Sequence, residues 1–139
     1  IIALGDRVVV KVPATRAGFV ATRALTDRGV PVLVTAVYSA GQALAAASYG
    51  ARYVAPYFGR LGDAGHDAVA TIGSMHRMLE GSRTEVLAAS LRSPADIVAL
   101  REQGVARFTA APVVIESLLP DDVSESPAAE FEAAIRDIA

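Results

Sequence analysis

Cysteine and tryptophan are both absent from this sequence of 139 residues, and histidine occurs only twice, at His66 and His76. Without cysteine the chain can form neither disulfides nor thiolate metal sites, and such a composition is typical of the reducing cytosol. The two histidines lie too far apart along the chain to match the ligand spacing of a zinc site. We therefore expect a cytoplasmic protein that needs no metal ion.

Long apolar runs and an excess of charge of one sign are also lacking. No apolar stretch approaches the roughly 20 residues that a membrane-spanning helix needs. The net charge is −2 and both signs are scattered along the chain, so the sequence shows neither a nucleic-acid-binding surface nor a polybasic membrane patch. We expect no nucleic-acid partner and no association with a membrane.

What the sequence does have is an alternation of apolar runs and helical stripes, with 53% hydrophobic residues in a length that suits one domain. The predicted strands are Val8–Val12, Pro31–Val37, Arg52–Tyr57, Glu85–Ser90 and Val105–Thr109. The first helical stripe consists of Ala17, Val20, Ala21, Ala24 and Leu25. A loop is predicted over Gly59–Gly65, an acidic linker over Asp121–Ser126, and a tail helix from about Ala128 to Ile138.

Five strand–helix units with short links predict parallel strands joined by right-handed crossovers. Their spacing is that of a (β/α) barrel, which needs eight strands to close. Two interpretations remain open, an open doubly wound sheet or a barrel that lacks three strands upstream. The start at Ile1, without methionine, favours the second, so residues 1–139 are interpreted as a single partial domain.

Lys11 lies inside the first of these runs, which is apolar and β-branched and therefore typical of a buried parallel strand. Burial of an ammonium group is costly unless the group loses its proton or finds partners. A lysine whose pKa is lowered in this way is a nucleophile, and its usual chemistry is a Schiff base with a carbonyl. The alternative is that Lys11 marks an edge strand or extends its charged end into solvent.

Chemically capable side chains lie at or near the carboxyl ends of four strands, where parallel α/β folds build active sites. These candidates, with one arginine from the loop after the third strand, are Lys11, Thr35, Tyr57, Arg60 and Ser90. Alternation along a strand places Leu33 on the face of Thr35 and Ala55 on the face of Tyr57, so both join the expected substrate-binding set. Each residue alone has an ordinary structural explanation, but their common location predicts a site.

These residues lie in stretches that resemble the transaldolase and fructose-6-phosphate aldolase family. The matching stretches are VVVKVPAT, TAVYSAGQALAAASYGARYVAPYFGRLGDAGHD and LAASLRSP, and the resemblance extends from Asp6 to about Pro112. It implies a (β/α)8 TIM barrel of which this chain holds strands four to eight and lacks strands one to three. It also implies a class I enzyme without a cofactor, a sugar-phosphate or dihydroxyacetone-type substrate, and a homo-oligomer.

The resemblance assigns a role to each candidate residue. Lys11 matches the Schiff-base lysine, Tyr57 the proton-handling tyrosine of the aldolase branch, and Thr35 the threonine that helps to hold the catalytic water. Arg60 and Ser90 match the groups that bind the substrate phosphate. An apolar barrel interior would supply the neutral amine that attack on a ketone requires.

The motifs resemble two branches of the family. TAVY and VAPY resemble the aldolase members, because transaldolases usually carry phenylalanine at the position of Tyr57. The loop GRLGDAGHD is closer to the short microbial transaldolases. We expect an aldolase, with a transaldolase or a catalytically silent barrel fragment as the alternatives.

Overall fold

The computed structural model describes Gly5 and residues 8–136, and strands and helices alternate over this part of the chain. The strands are β1 Val10–Pro13, β2 Val32–Val37, β3 Tyr53–Pro56, β4 Glu85–Leu91 and β5 Arg107–Ala110. The helices are α1 Arg16–Thr26, α2 Ala40–Ser48, α3 Phe58–Asp63, α4 Ala68–Leu79, α5 Pro94–Glu102, α6 Pro112–Glu116 and α7 Asp122–Arg136. The predicted α/β alternation is confirmed.

The five strands form one parallel sheet in the order of the sequence, β1-β2-β3-β4-β5. One face of this sheet packs against the helices and forms the core. Val12, Val34, Val54 and Val86 pair in register across four strands and are all buried. They cluster with Ile72, Met75 and Leu100 from the helices. The core lies on one face because every helical crossover between neighbouring parallel strands is right-handed and therefore places its helix on the same side of the sheet.

The opposite face of the sheet is open in the part of the chain that the structure describes. Lys11, Leu33, Tyr53 and Glu85 form the neighbouring in-register row, one residue before the valines. Because successive side chains alternate, this row lies on the other side of the sheet. Lys11 and Glu85 are exposed and the two residues between them are half-buried. Lys11 therefore lies on the side of the sheet opposite the core.

Helix starts follow the local sequence. Four helices begin with a side-chain cap that accepts a hydrogen bond from a backbone N–H three residues later, and the capping residues are Thr15, Ser39, Asp67 and Ser93. Ser93 and Asp96 form the full reciprocal capping box, with Pro94 in the first turn. The expected capping serine, proline and first-turn acid are thus confirmed.

The predicted apolar stripe of α1 is wrong about which side of the helix packs. Val20 is 68% exposed, whereas Gly18 and Thr22 are buried. A Cβ on residue 18 would lie only 1.9 Å from the Pro13 carbonyl oxygen. The helix therefore meets β1 through its smallest residue, because close approach of two backbones requires the space that glycine leaves.

Two segments that were expected to be irregular are helical. The predicted loop Gly59–Gly65 contains most of α3, because contact of Gly59 with β4 stabilises a turn that its glycines would not favour alone. The predicted linker Asp121–Ser126 is mostly the first part of α7, since the Asp121 carboxylate accepts from the Ser124 N–H and so caps that helix. The predicted tail helix thus begins earlier than expected, and its last predicted residues, 137 and 138, lie outside the described residues.

Candidate active site at the carboxyl ends of the strands

Thr35 and Tyr57 meet at the carboxyl ends of β2 and β3. The Thr35 hydroxyl donates a hydrogen bond of 3.0 Å to the Tyr57 phenol oxygen. Thr35 is 8% exposed. Tyr57, directly after β3, is half-buried and forms a parallel bridge with Ala89 of β4. The two residues were expected to share a water molecule; the structure brings their hydroxyl groups into direct contact. A phenol held in this way can donate or accept a proton at a fixed place.

Arg60 lies above the same tyrosine. It belongs to α3, which starts directly after Tyr57, and its guanidinium carbon is 5.3 Å from the centroid of the Tyr57 ring. This distance is within the range of a cation–π contact. The Arg60 side chain is exposed, so its donors remain accessible to an anion in solvent. The structure therefore brings Thr35, Tyr57 and Arg60 together, as the sequence predicted.

Backbone strain marks two of the strand ends. Ala36 and Ser90 are non-glycine residues with positive φ, 55° and 61°. Each lies where the strand register shifts, between Thr35 and Val37 and between Ala88 and Leu91. Such backbone costs on the order of 1–3 kcal/mol and is concentrated at functional sites. Both strained residues flank the Thr35–Tyr57 contact, which supports the location of the site.

The register shift in β4 means that simple alternation no longer indicates on which face of the sheet the Ser90 side chain lies. Simple alternation groups Ser90 with Val86 and Ala88, but both of these are buried core residues on the helix side of the sheet. The left-handed backbone at Ser90 interrupts the alternation, so the pattern alone does not place this side chain. Ser90 is half-buried at the end of β4, and its carbonyl oxygen faces Gly59 of α3.

Lys11 lies on β1, an edge strand of the described sheet, and its side chain is exposed. Within the described residues Lys11 is therefore an exposed residue of an edge strand, and its burial in a complete barrel stays a prediction. The reason is the alternation along β1: Val12 faces the helices, and Lys11 faces the open side of the sheet. A lysine on this face is covered only if further structure closes over it.

Leu33 and Ala55 lie where the alternation predicts. Leu33 pairs with Lys11 in register and is half-buried. Ala55 pairs with Thr35 and is 1% exposed. Leu33 is thus the strand neighbour of Lys11, and Ala55 is the strand neighbour of Thr35.

Two residues of the site were not found from the sequence. The ring of Tyr38 packs edge-on against the ring of Tyr57, with centroids 6.0 Å apart. Gln42 accepts from the Tyr38 N–H at 2.8 Å and donates to the Ala14 carbonyl at 3.2 Å, so it ties the end of β1 to the loop after β2. A signal for Tyr38 was present in the sequence, because this residue directly follows the strand that carries Thr35.

An ion pair lies beside this site. Arg92, just after β4, binds both carboxylate oxygens of Asp63 at the end of α3, at 2.8 and 2.5 Å. The hydrogen bond from Arg92, aided by the charges of Arg92 and Arg60, lowers the pKa of Asp63 below its usual range. The same pair raises the pKa of Arg92. His66 lies nearby in an exposed loop, and His76 is half-buried on α4.

Comparison with known proteins identifies the family. The profile of the Transaldolase/Fructose-6-phosphate aldolase family matches residues 1–138. The chain belongs to this family. A probable transaldolase of Nitrosopumilus maritimus is 42% identical over 118 residues, which are 83% of this chain and 53% of that protein. A probable transaldolase of Coprothermobacter proteolyticus is 35% identical over 132 residues, 94% of this chain and 61% of that protein.

The chain thus spans between about half and three fifths of the length of these two transaldolase relatives. Among solved structures, a mandelate oxidase with (S)-2-phenylpropionate aligns with a TM-score of 0.54 at 18% identity, over 66% of this chain and 28% of that chain. At that level of identity the likeness concerns the fold alone. In the part of the chain that the structure describes, no helix has the length and apolarity to cross a membrane.

Proposed function

We propose that the complete protein is a fructose-6-phosphate aldolase-like enzyme that cleaves or forms a carbon–carbon bond of a sugar phosphate through a Schiff base on Lys11. The observation that carries the proposal is the hydrogen bond between Thr35 and Tyr57, with Arg60 above the tyrosine ring. A phenol, a hydroxyl donor and a guanidinium then face one place at the strand ends. Membership of the family supports the reaction class.

In the cleavage direction, the Lys11 amine attacks the ketone carbon and the carbinolamine loses water to give an iminium. The iminium accepts the electron pair of the breaking carbon–carbon bond while a water molecule at Tyr57 takes the proton of the neighbouring hydroxyl, which yields an enamine and a free aldehyde. Tyr57, directly or through water, then returns a proton to the enamine carbon, and hydrolysis releases the ketone and the free amine. Thr35 orients the phenol, and Arg60 with Ser90 binds the substrate phosphate.

The proposal includes a closed barrel. Lys11 is exposed on the edge strand β1, and the chemistry needs its amine uncharged. We propose that β1 to β5 are strands four to eight of a TIM barrel and that three further strands cover the lysine. The greater length of the transaldolase relatives supports this assignment. On this proposal the 139-residue chain alone has little or no activity.

A transaldolase is the second candidate, in which the enamine is kept and passed to an acceptor aldehyde. The relatives favour it, because both are described as probable transaldolases. Tyr57 favours the aldolase, since a well-placed phenol protonates the enamine and lets the ketone leave.

The two candidates are separated by incubating the protein encoded by the complete gene with fructose 6-phosphate, with and without erythrose 4-phosphate. Dihydroxyacetone released without an acceptor supports the aldolase, and products that require the acceptor support the transaldolase. Lys11→Met, which keeps a similar length and removes the nucleophile, is the control. Turnover that persists in this variant contradicts both candidates.

A further inference from the structure

Gln42 joins the ends of two strands through both atoms of its side-chain amide. The amide oxygen accepts a hydrogen bond of 2.8 Å from the Tyr38 N–H, and the amide nitrogen donates one of 3.2 Å to the Ala14 carbonyl oxygen. Ala14 directly follows β1, and Tyr38 directly follows β2. These two partners fix the orientation of the amide, because one of them is a donor and the other an acceptor.

The backbone on both sides of this amide is also held. Gln42 is the third residue of α2, and its own N–H donates to the hydroxyl of the N-cap residue Ser39 at 3.3 Å. The Ala14 N–H donates to the Thr35 carbonyl oxygen at 2.8 Å. The residue after β1, the end of β2 and the first turn of α2 therefore form one hydrogen-bonded network that contains Gln42.

The network encloses a bulge at the end of β2. Ala36 has a φ of 55°, and the strand register shifts between Thr35 and Val37. Strict alternation would place Val37 on the face of Thr35, but Val37 is fully buried in the core that faces the helices. The bulge therefore returns Val37 to the core, and Tyr38 comes to lie beside Tyr57, with the two ring centroids 6.0 Å apart.

The strained backbone of this bulge needs support from its surroundings. A non-glycine residue keeps a left-handed backbone only where neighbouring contacts hold it. On one side of Ala36 the Tyr38 N–H is bound by Gln42, and on the other side the Thr35 carbonyl is bound by Ala14, which Gln42 also binds. Loss of the amide would let residues 35–38 relax, and the Thr35 hydroxyl would move away from the tyrosine phenol that it contacts at 3.0 Å.

We propose that Gln42 is a positioning residue: it holds the bulge at the end of β2 and so places the Thr35 hydroxyl against the Tyr57 phenol for the proton-transfer steps. This inference rests on the proposed function. Gln42 does not hold Lys11, which the ladder between β1 and β2 keeps opposite Leu33. Formation of the Schiff base should therefore survive the loss of Gln42, whereas protonation of the enamine should become slower.

The first test measures the backbone network independently of activity. Hydrogen exchange at short labelling times is compared between the unsubstituted complete protein and Gln42→Met, which keeps a similar length and removes both hydrogen bonds of the amide. We expect faster exchange over residues 13–15 and 35–39 in this variant. Gln103→Met is the matched control, because Gln103 also accepts a side-chain hydrogen bond, from Arg77 at 3.1 Å, but follows α5. Its loss should leave exchange in both segments unchanged.

The second test separates formation of the Schiff base from proton transfer. For Gln42→Met we expect kcat for cleavage of fructose 6-phosphate to fall by about tenfold to a hundredfold, the order expected when a reacting group is displaced. The yield of the adduct that borohydride traps on Lys11 should stay unchanged. In a double-mutant cycle, Gln42→Met should add little in the background of Tyr57→Phe, because both changes disturb the same proton transfer.

Gln42→Glu provides a third test that depends on one proton. A protonated carboxyl group can accept from the Tyr38 N–H and donate to the Ala14 carbonyl as the amide does, whereas the carboxylate has no proton to donate. We therefore expect kcat of this variant, divided by kcat of the unsubstituted protein at the same pH, to rise as the pH falls from about 8 to about 5. The same ratio for Gln42→Met should not change with pH.

Three results would overturn the inference. One is unchanged exchange over residues 35–39 in Gln42→Met, and another is a loss of the Lys11 adduct in proportion to kcat, which indicates that the whole site is disturbed. The third is a ratio for Gln42→Glu that stays constant or falls as the pH is lowered. If the unsubstituted protein neither cleaves nor transfers, the proposed function fails, and the exchange data still decide whether Gln42 holds the end of β2.

Discussion

The Thr35 hydroxyl and the Tyr57 phenol are 3.0 Å apart although 22 residues separate them in the chain. Their contact is possible because β2 and β3 are parallel neighbours whose carboxyl ends lie side by side, with Thr35 paired to Ala55. Either hydroxyl can donate in this pair, so the contact fixes the position of the phenol and leaves it able to exchange a proton with a third group.

Tyr57→Phe tests the aldolase branch, because it keeps the ring against Tyr38 and Arg60 and removes only the hydroxyl. Loss of a general acid costs on the order of a hundredfold or more in rate. We expect release of free ketone to fall by that order, while transfer to an acceptor aldehyde falls less. The measurement is the ratio of cleavage to transfer in the complete protein.

Tyr49→Phe is the matched control for that experiment. Tyr49 follows α2, and its ring packs against Phe19 of α1, away from the strand ends. Loss of the Tyr49 hydroxyl should leave the rate of cleavage and the rate of transfer unchanged. An unaltered ratio of cleavage to transfer in Tyr57→Phe means that Tyr57 is not the proton donor, and the preference for an aldolase would then be withdrawn.

Gly59→Ala tests the close approach of α3 to β4. The added methyl group would lie within 3 Å of both the Arg92 side chain and the Ser90 carbonyl, so one of them must move. Overpacking of this kind typically costs about 1–3 kcal/mol in the free energy of unfolding, measured by urea denaturation. Gly62→Ala, in the same helix with open space at the Cβ, should be neutral or stabilising by up to about 1 kcal/mol. Equal effects of the two substitutions would contradict the close contact.

We expect the free energy of unfolding to depend on pH through Asp63. Its pKa is lowered in the folded protein, mainly by the hydrogen bond from Arg92, so the folded state binds the proton less tightly than the unfolded state. The pair therefore contributes stability above the unfolded carboxyl pKa of about 3.9, and this contribution is lost as the pH falls through the lower folded value. We expect the difference in unfolding free energy between the unsubstituted protein and Asp63→Asn to shrink below about pH 4. A difference that stays constant to about pH 3 would show that the pair does not couple to folding.

The tail helix provides a prediction about assembly. Phe131 and Ile135 of α7 are 70% and 67% exposed, at the spacing of one helical face. We propose that this face packs on a neighbouring copy in a homo-oligomer, because two large apolar side chains are exposed side by side on it. Replacing both residues with serine should lower the mass of the complete protein measured by light scattering at micromolar concentration. A complete protein that is monomeric before any substitution would contradict the proposal.

The sequence predicted the alternation of strands and helices because period-two and period-3.6 patterns depend on local chain geometry. It predicted the place of Thr35 and Tyr57 for a related reason, since parallel strands bring their carboxyl ends to one edge. The roles of these residues came from motif resemblance and stay predictions. Family membership, by contrast, is confirmed by the profile match over residues 1–138.

What the sequence could not predict depends on contacts between distant residues. The helix α3 forms over a glycine-rich stretch because Gly59 fits against Arg92, which lies 33 positions later. The side of α1 that packs is chosen by the space at Gly18, and not by the apolarity of Val20. Lys11 is exposed because Val12, its neighbour on β1, faces the helices, and the apolar run Val8–Val12 does not indicate which of its residues face them.

The central claim is the Schiff base on Lys11, and reductive trapping tests it most directly. The protein encoded by the complete gene is treated with borohydride in the presence of dihydroxyacetone or fructose 6-phosphate, and the modified peptide is located by mass spectrometry. We expect one adduct, with the mass of the reduced ketone imine, on Lys11, and neither adduct nor turnover in Lys11→Met. An adduct on another residue, or full activity of the Lys11→Met variant, would contradict the assignment.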